Sequence, residues 1–186
     1  MNIAVFLPNW IGDAVMATPA IRALREQFAG ARLIAVLKPY IAGVVEGSPW
    51  FDESVYLDSE GALSGRWPAA ALRLRREKID LAVLFPNSFR SALVAWLGGC
   101  KRRIGYRRYG RGPLLTDALR PLRDEQGRLR PSPVIDAYNF LVQRAGCPTP
   151  TYRMELFTTE GDEAGAARVW ERANFDANAK VVCLNP

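Results

Sequence analysis

Short, almost wholly apolar runs recur along this chain, each followed by a turn and then by helical periodicity. Residues 2–7 (NIAVFL), 31–37 (ARLIAVL) and 81–85 (LAVLF) place apolar side chains on consecutive positions rather than alternate ones. A strand covered on one face alternates, whereas a strand covered on both faces does not, so these runs predict buried parallel strands. Two weaker strands are predicted over 54–57 and 103–106. Helices are predicted over 12–16, from Thr18 to Gly30 with Thr18 as N-cap and Pro19 as first helical residue, and around 41–46. Further helices are predicted over 68–78, 88–97, 132–145 and 163–172. This alternation predicts an α/β fold, a Rossmann-like doubly wound parallel sheet with right-handed crossovers. Residues 1–178 would form that domain, ending in a polar linker over 174–178. Residues 180–184 (KVVCL) read as another buried strand, so 179–186 are expected to be the cut-off first strand of a second domain.

Composition narrows the class. Hydrophobic residues make up 49% and charged residues 24% of 186, which is the balance of a soluble globular protein. No run of about eighteen apolar residues could span a bilayer. No charged segment or cleavage site marks a signal peptide. Cys100, Cys147 and Cys183 are far apart and lack metal-ligand spacing, so neither a disulfide framework nor a zinc site is expected, and a reducing cytoplasm is. Between Lys101 and Arg130, ten basic residues face three acidic ones, a local balance of +7 in a chain of net +6. The basicity therefore belongs to one segment.

The turn after the first apolar run, PNWIGDAVM over residues 8–16, sits where open α/β sheets place ligand chemistry. It lacks both the GxGxxG pattern and the GxxxxGK[ST] pattern, which argues against a nucleotide at this turn. Asp13 is a candidate general base there, the more so because the chain contains no histidine. The plainer alternative is a helix N-cap worth about 1 kcal/mol, and one carboxylate can serve both roles. Trp10 reads either as a core aromatic or as a flat wall for a sugar ring, with Asn9 supplying hydrogen bonds. Pro86-Asn87-Ser88 follows the fourth strand as Pro8-Asn9-Trp10 follows the first. Asn87 and Ser88 are thus expected at the same cleft, unless one of them merely caps the next helix.

In the basic segment, Arg102, Arg103, Tyr106, Arg107, Arg108 and Arg111 interleave cations with aromatics in a pattern suited to phosphate or carboxylate. A solvated surface loop is the alternative. No nucleic-acid-binding motif is present, so an anionic lipid surface or a phosphorylated glycolipid ranks above nucleic acid.

The run PNWIGDAVMATP at 8–19 resembles the N-terminal signature of the ADP-heptose:lipopolysaccharide heptosyltransferases, family nine of the glycosyltransferases. Its Pro-Asn-Trp lead and Ala-Val-Met tail look more like the heptosyltransferase II branch than the heptosyltransferase I branch. LFPNSFRSA at 84–92, RRIGY at 102–106 and LLT at 114–116 resemble later blocks in the same order. The resemblance implies the N-terminal, acceptor-binding half of a two-domain GT-B enzyme that transfers heptose with inversion to the lipopolysaccharide inner core. It implies Asp13 as the base on the acceptor hydroxyl. Asn9, Trp10, Gly12, Asn87, Ser88, Arg102, Arg103, Tyr106, Arg107, Arg108 and Arg111 would face the acceptor. ADP-heptose would be the donor, bound mainly by a C-terminal domain whose Asn-Pro-Gly block is similar to Asn185-Pro186. No cofactor or metal would be needed in this chain, and alone it would be inactive. The resemblance places the enzyme in the cytoplasm, peripheral on the inner membrane, with no nucleic-acid partner. Two alternatives remain: a non-catalytic anion-binding module, and a relative with a different acceptor.

Overall fold

The strand runs show no alternation because each central strand feeds two cores. In the computed structural model, residues 1–57, 67–121, 125–126, 128, 131–175, 179–182 and 184 are described. Ile3, Val5 and Leu7 enter one core with Leu33, Leu37, Val83 and Phe85, while Ala4 and Phe6 enter a second with Ile34, Val36 and Leu84. Successive side chains of a strand point to opposite faces, so burial on both sides demands apolar residues throughout. Each buried Leu, Ile or Phe contributes about 1.5–3 kcal/mol.

Six strands, β1 Asn2–Phe6, β2 Arg32–Leu37, β3 Glu53–Tyr56, β4 Leu81–Leu84, β5 Arg102–Tyr106 and β6 Asp117–Leu119, form one sheet in the order β3-β2-β1-β4-β5-β6. Every neighbouring pair is parallel, with Ile3 in register with both Leu33 and Leu81. The chain winds outward from β1 to β3, then returns to build β4 to β6 on the other side. Loops leaving β1 and β4 therefore diverge, and a crevice opens between them at the carboxyl ends of the strands.

Helices α1 Ile11–Met16, α2 Thr18–Gln27, α3 Ala42–Val45 and α6 Val134–Ala145 cover one face of the sheet. Helices α4 Trp67–Glu77 and α5 Phe89–Leu97 cover the other. Gly146 closes α6 at φ 110°, a conformation other residues resist. The last helix, α7 Glu160–Ala173, starts at a reciprocal Thr159–Asp162 cap and buries none of its residues.

Three expectations change. Thr18 is not the cap of α2: α1 and α2 abut at Ala17, which caps both, and Pro19 falls within the first turn. The buried Thr18 hydroxyl instead donates to Val15 O at 2.8 Å and accepts the Glu155 N–H at 3.1 Å. The strand expected over 180–184 is absent at Lys180, Val181, Val182 and Leu184, which are exposed and carry no regular structure. Cys183, the last two residues and 176–178 of the expected linker lie outside the described residues. Strand β6 was not anticipated, since three residues around a charged Asp117 carry no apolar run. It pairs with β5 along its backbone, buries Leu119 in the first core, and holds the Asp117 carboxylate against Arg102 and Arg144.

β5 and β6 are parallel but joined without a helix. The connection holds a single 3-10 turn, Gly112–Leu114, and sinks Leu115 into the second core. It also buries Arg111 completely.

Candidate functional site

The β1–α1 turn is fixed from two sides. Trp10 takes an extended conformation at φ −108° and ψ 137° and precedes the first helical residue. From beyond β2, the Tyr40 hydroxyl donates to the Asn9 carbonyl at 2.7 Å. This turn carries Asp13 in the first turn of α1, half-buried, with no side-chain cap bond. The N-cap is Trp10, so the capping role considered for Asp13 is not the one it has. Among the described residues the carboxylate meets no hydrogen-bond donor and no cation.

Asp13 instead faces a cleft of about 530 Å³ at the carboxyl edge of the sheet. Asn87 from the β4–α5 turn, Tyr106 and Arg108 from the end of β5, Arg120 after β6, and Ser132, Asp136 and Tyr138 around α6 share it. Its walls combine aromatic surface with hydrogen-bonding groups, the composition of a small-molecule site. Tyr138 is buried, its ring 4.9 Å from that of Phe85. Burial, and then the Asp13 charge, push its phenol above the ordinary range. Burial, and then the charge of Asp136, likewise push Tyr106 up to about 12. The Tyr106 hydroxyl is committed to Ala137 O at 3.1 Å. Arg108 lies 5.6 Å from the Tyr109 ring centroid, and neither Arg108 nor Arg120 has a carboxylate partner among the described residues. Among the described residues the cleft thus combines a carboxylate without a cation partner, two cations without a carboxylate partner, and protonated phenols. It can hold a polyhydroxylated anion and accept a proton from one of its hydroxyls.

The structure divides the expected site residues into groups. Asp13, Asn87, Tyr106 and Arg108 converge on this cleft. Asn9 and Ser88 line a smaller depression of about 170 Å³ across the turn, with Lys38, Trp67 and Arg90. Ser88 caps α5, accepting the Ser91 N–H at 3.2 Å, so the capping alternative holds for it. Trp10 is 77% exposed and lines neither recess, which removes the core-aromatic reading. Gly12 is exposed, and a Cβ there would meet nothing within 4 Å. Arg107 is exposed and outside the cleft, its stem against Gly112.

Three arginines depart from expectation. Arg102 and Arg103 open β5 and so lie at the amino edge of the sheet, a strand's length from the cleft. Arg102 forks onto Asp117 at 3.1 Å and reaches Arg144 O at 2.8 Å, while Arg103 donates to Leu114 O at 2.6 Å and Cys100 O at 2.5 Å. Arg102 is thus held by a carboxylate and a carbonyl, and Arg103 by backbone carbonyls, away from the cleft. Arg111 is wholly buried and spends its donors on protein oxygens. Conversely, Arg120, Ser132, Asp136 and Tyr138 were not singled out as site residues. Only the crossing of β6 and α6 over the cleft brings them in, and no local spacing signals it.

Cys100 and Cys147 are buried, and burial pushes their thiols up to about 12 and about 11. No described helix is long and apolar enough to cross a membrane. Among the described residues no cluster of His, Cys, Asp and Glu is placed to hold a metal.

No family model matches the chain. Lipopolysaccharide heptosyltransferase 2 of Escherichia coli K12 is 30% identical over 169 residues, covering 88% of this chain and 48% of that protein. The solved E. coli ADP-heptose lps heptosyltransferase II superposes with a TM-score of 0.71 at 23% identity, over 95% of this chain and 52% of its own. A family nine glycosyltransferase from Veillonella parvula superposes with a TM-score of 0.81 at 19% identity, covering 95% and 50%. The fold is thus that of about half of a GT-B heptosyltransferase, as the resemblance implied. The chain is similar to the lipopolysaccharide heptosyltransferase 2 proteins over most of its own length, and it spans about half the length of the relatives it matches.

Proposed function

We propose that this chain is the acceptor-binding half of an inverting heptosyltransferase, which moves heptose from ADP-heptose to an anionic sugar of the lipopolysaccharide inner core. The observation that carries this reading is the Asp13 carboxylate, without a partner among the described residues, facing a cleft that also presents Arg108 and Arg120. Asp13 takes the proton from the attacking acceptor hydroxyl, a role worth roughly 10²–10⁴ in rate. Arg108 and Arg120 hold the acceptor's acidic groups, and the Tyr138 face supports the sugar ring. Arg102, Arg103 and Arg111 are not part of this contact.

Stabilisation of the leaving ADP comes from a second, nucleotide-sugar-binding half, so the chain alone does not turn over. The enzyme works in the cytoplasm at the inner-membrane surface, where a lipid-anchored acceptor is within reach. Calorimetric titration of the chain with inner-core oligosaccharide tests the acceptor reading. Saturable, salt-weakened binding supports it, and tighter binding of a short oligonucleotide at equal salt would favour a general anion-binding module.

A further inference from the structure

Arg111 is the bulkiest fully buried side chain among the described residues, yet no carboxylate faces it. A buried guanidinium is tolerated only when its donors are satisfied. Here neutral oxygens do so. Nε donates to Tyr106 O at 2.8 Å, Nη1 to Ser91 Oγ at 3.2 Å and to the Pro86 carbonyl, and Nη2 to Asn87 Oδ1 at 3.1 Å. Burial, and then the neighbouring charge of Arg108, pull its pKa down to about 10, which leaves it cationic at neutral pH.

The consequence falls on Asn87. Arginine carries only donors, so the Asn87 amide must turn its oxygen toward Arg111 and its NH₂ group the other way. Asn87 lines the Asp13 cleft, and its Nδ2 has no partner among the described residues. We infer that Arg111 is a positioning residue that locks the Asn87 side chain so that its NH₂ is presented to the cleft as a donor for a ligand oxygen. The lock spans two loops, because the same guanidinium ties the end of β5 to the β4–α5 turn. An amide free to flip would offer oxygen or nitrogen alike, whereas the locked one favours a carboxylate, carbonyl or hydroxyl oxygen. The ligand side of this inference rests on the acceptor reading of the cleft.

Two measurements on the whole chain decide it. In ¹⁵N spectra without ligand, the Arg111 Nε–H signal should persist at pH 8, where exposed guanidinium protons exchange away. The Asn87 side-chain NH₂ pair should be sharp, and Arg111→Lys should shift and broaden it. For affinity, Asn87→Asp keeps an oxygen for Arg111 but removes the donor, so the fold is retained. Inner-core oligosaccharide should then bind about tenfold more weakly or worse. Arg111→Lys should weaken binding comparably, and the double variant no further. The inference is overturned by unchanged affinity in Asn87→Asp, or by an Arg111→Lys variant that loses thermal stability while its Asn87 signals stay unchanged. If the unsubstituted chain binds no oligosaccharide, the acceptor reading fails, and the amide signals alone still decide the lock.

Discussion

The Tyr138 phenol and the Asp13 carboxylate share one cleft closely enough that the charge of Asp13 adds to burial in raising the Tyr138 pKa. The pair links α6 to the β1–α1 turn at the point where a ligand would sit. Removing the negative charge must favour the phenolate, so Asp13→Asn should lower the Tyr138 pKa while burial still holds it above 10. Absorbance titration of tyrosinate, with Tyr138→Phe to assign the transition, measures this. An unmoved transition would separate the two groups.

The arginines should sort by position. Arg108→Ala and Arg120→Ala should each weaken inner-core oligosaccharide binding by roughly threefold to tenfold and reduce its salt sensitivity, since both are cations facing the cleft with no carboxylate partner among the described residues. Arg102→Ala should leave affinity unchanged and instead cost up to about 1 kcal/mol in stability. Its partner is Asp117, at the opposite edge of the sheet. Denaturant melts alongside calorimetry distinguish the two outcomes.

Gly105 packs against the Arg111 guanidinium. A Cβ at this position would come 3.0 Å from Arg111 Nη2 and 3.3 Å from Leu115 Cδ2. Gly105→Ala should therefore destabilise by about 1–3 kcal/mol through overpacking, and also disturb the Asn87 amide signals. A stable variant with unaltered signals would show that the buried guanidinium has room to spare.

Acid sensitivity follows from Asp117. The hydrogen bond from Arg102 is the largest influence on its carboxyl, and with Thr116 and the charges of Arg102 and Arg144 it holds the pKa below the ordinary carboxylate value. A depressed carboxyl contributes stability that is fully present above its unfolded pKa, about 3.9, and that is lost as pH falls through the folded value. Stability should thus be flat near neutrality and decline below about pH 4. Asp117→Asn should be less stable at pH 7 and show a shallower acid decline, as read from urea midpoints between pH 6 and pH 2.

Much of the fold was legible because its strands are buried on both faces. Consecutive apolar residues at 2–7, 31–37 and 81–85 leave few alternatives to a covered parallel sheet. β6 was not legible, because it is three residues long and opens on Asp117, which is paired with Arg102 and Arg144, so it carries no apolar run. In the site, Asp13 and Asn87 could be found because each lies in the segment that connects a strand to the next helix or opens that helix. The basic segment misled because charge count carries no direction. Of its described arginines, Arg102 and Arg103 start a strand, Arg111 dives into the core, and Arg108 and Arg120 reach the cleft. The part of Tyr138 in the cleft was hidden because a helical tyrosine gives no local sign of a site, and here it is both core and wall.

The central claim is that Asp13 accepts the proton of the attacking hydroxyl. The direct measurement is single-turnover heptosyl transfer from ADP-heptose to inner-core acceptor, in protein carrying this half joined to a nucleotide-sugar-binding half. The comparison is between Asp13→Asn and the unsubstituted form. The account predicts a fall in rate of at least about a hundredfold with acceptor affinity nearly unchanged. Transfer within a few-fold of the unsubstituted rate would contradict it.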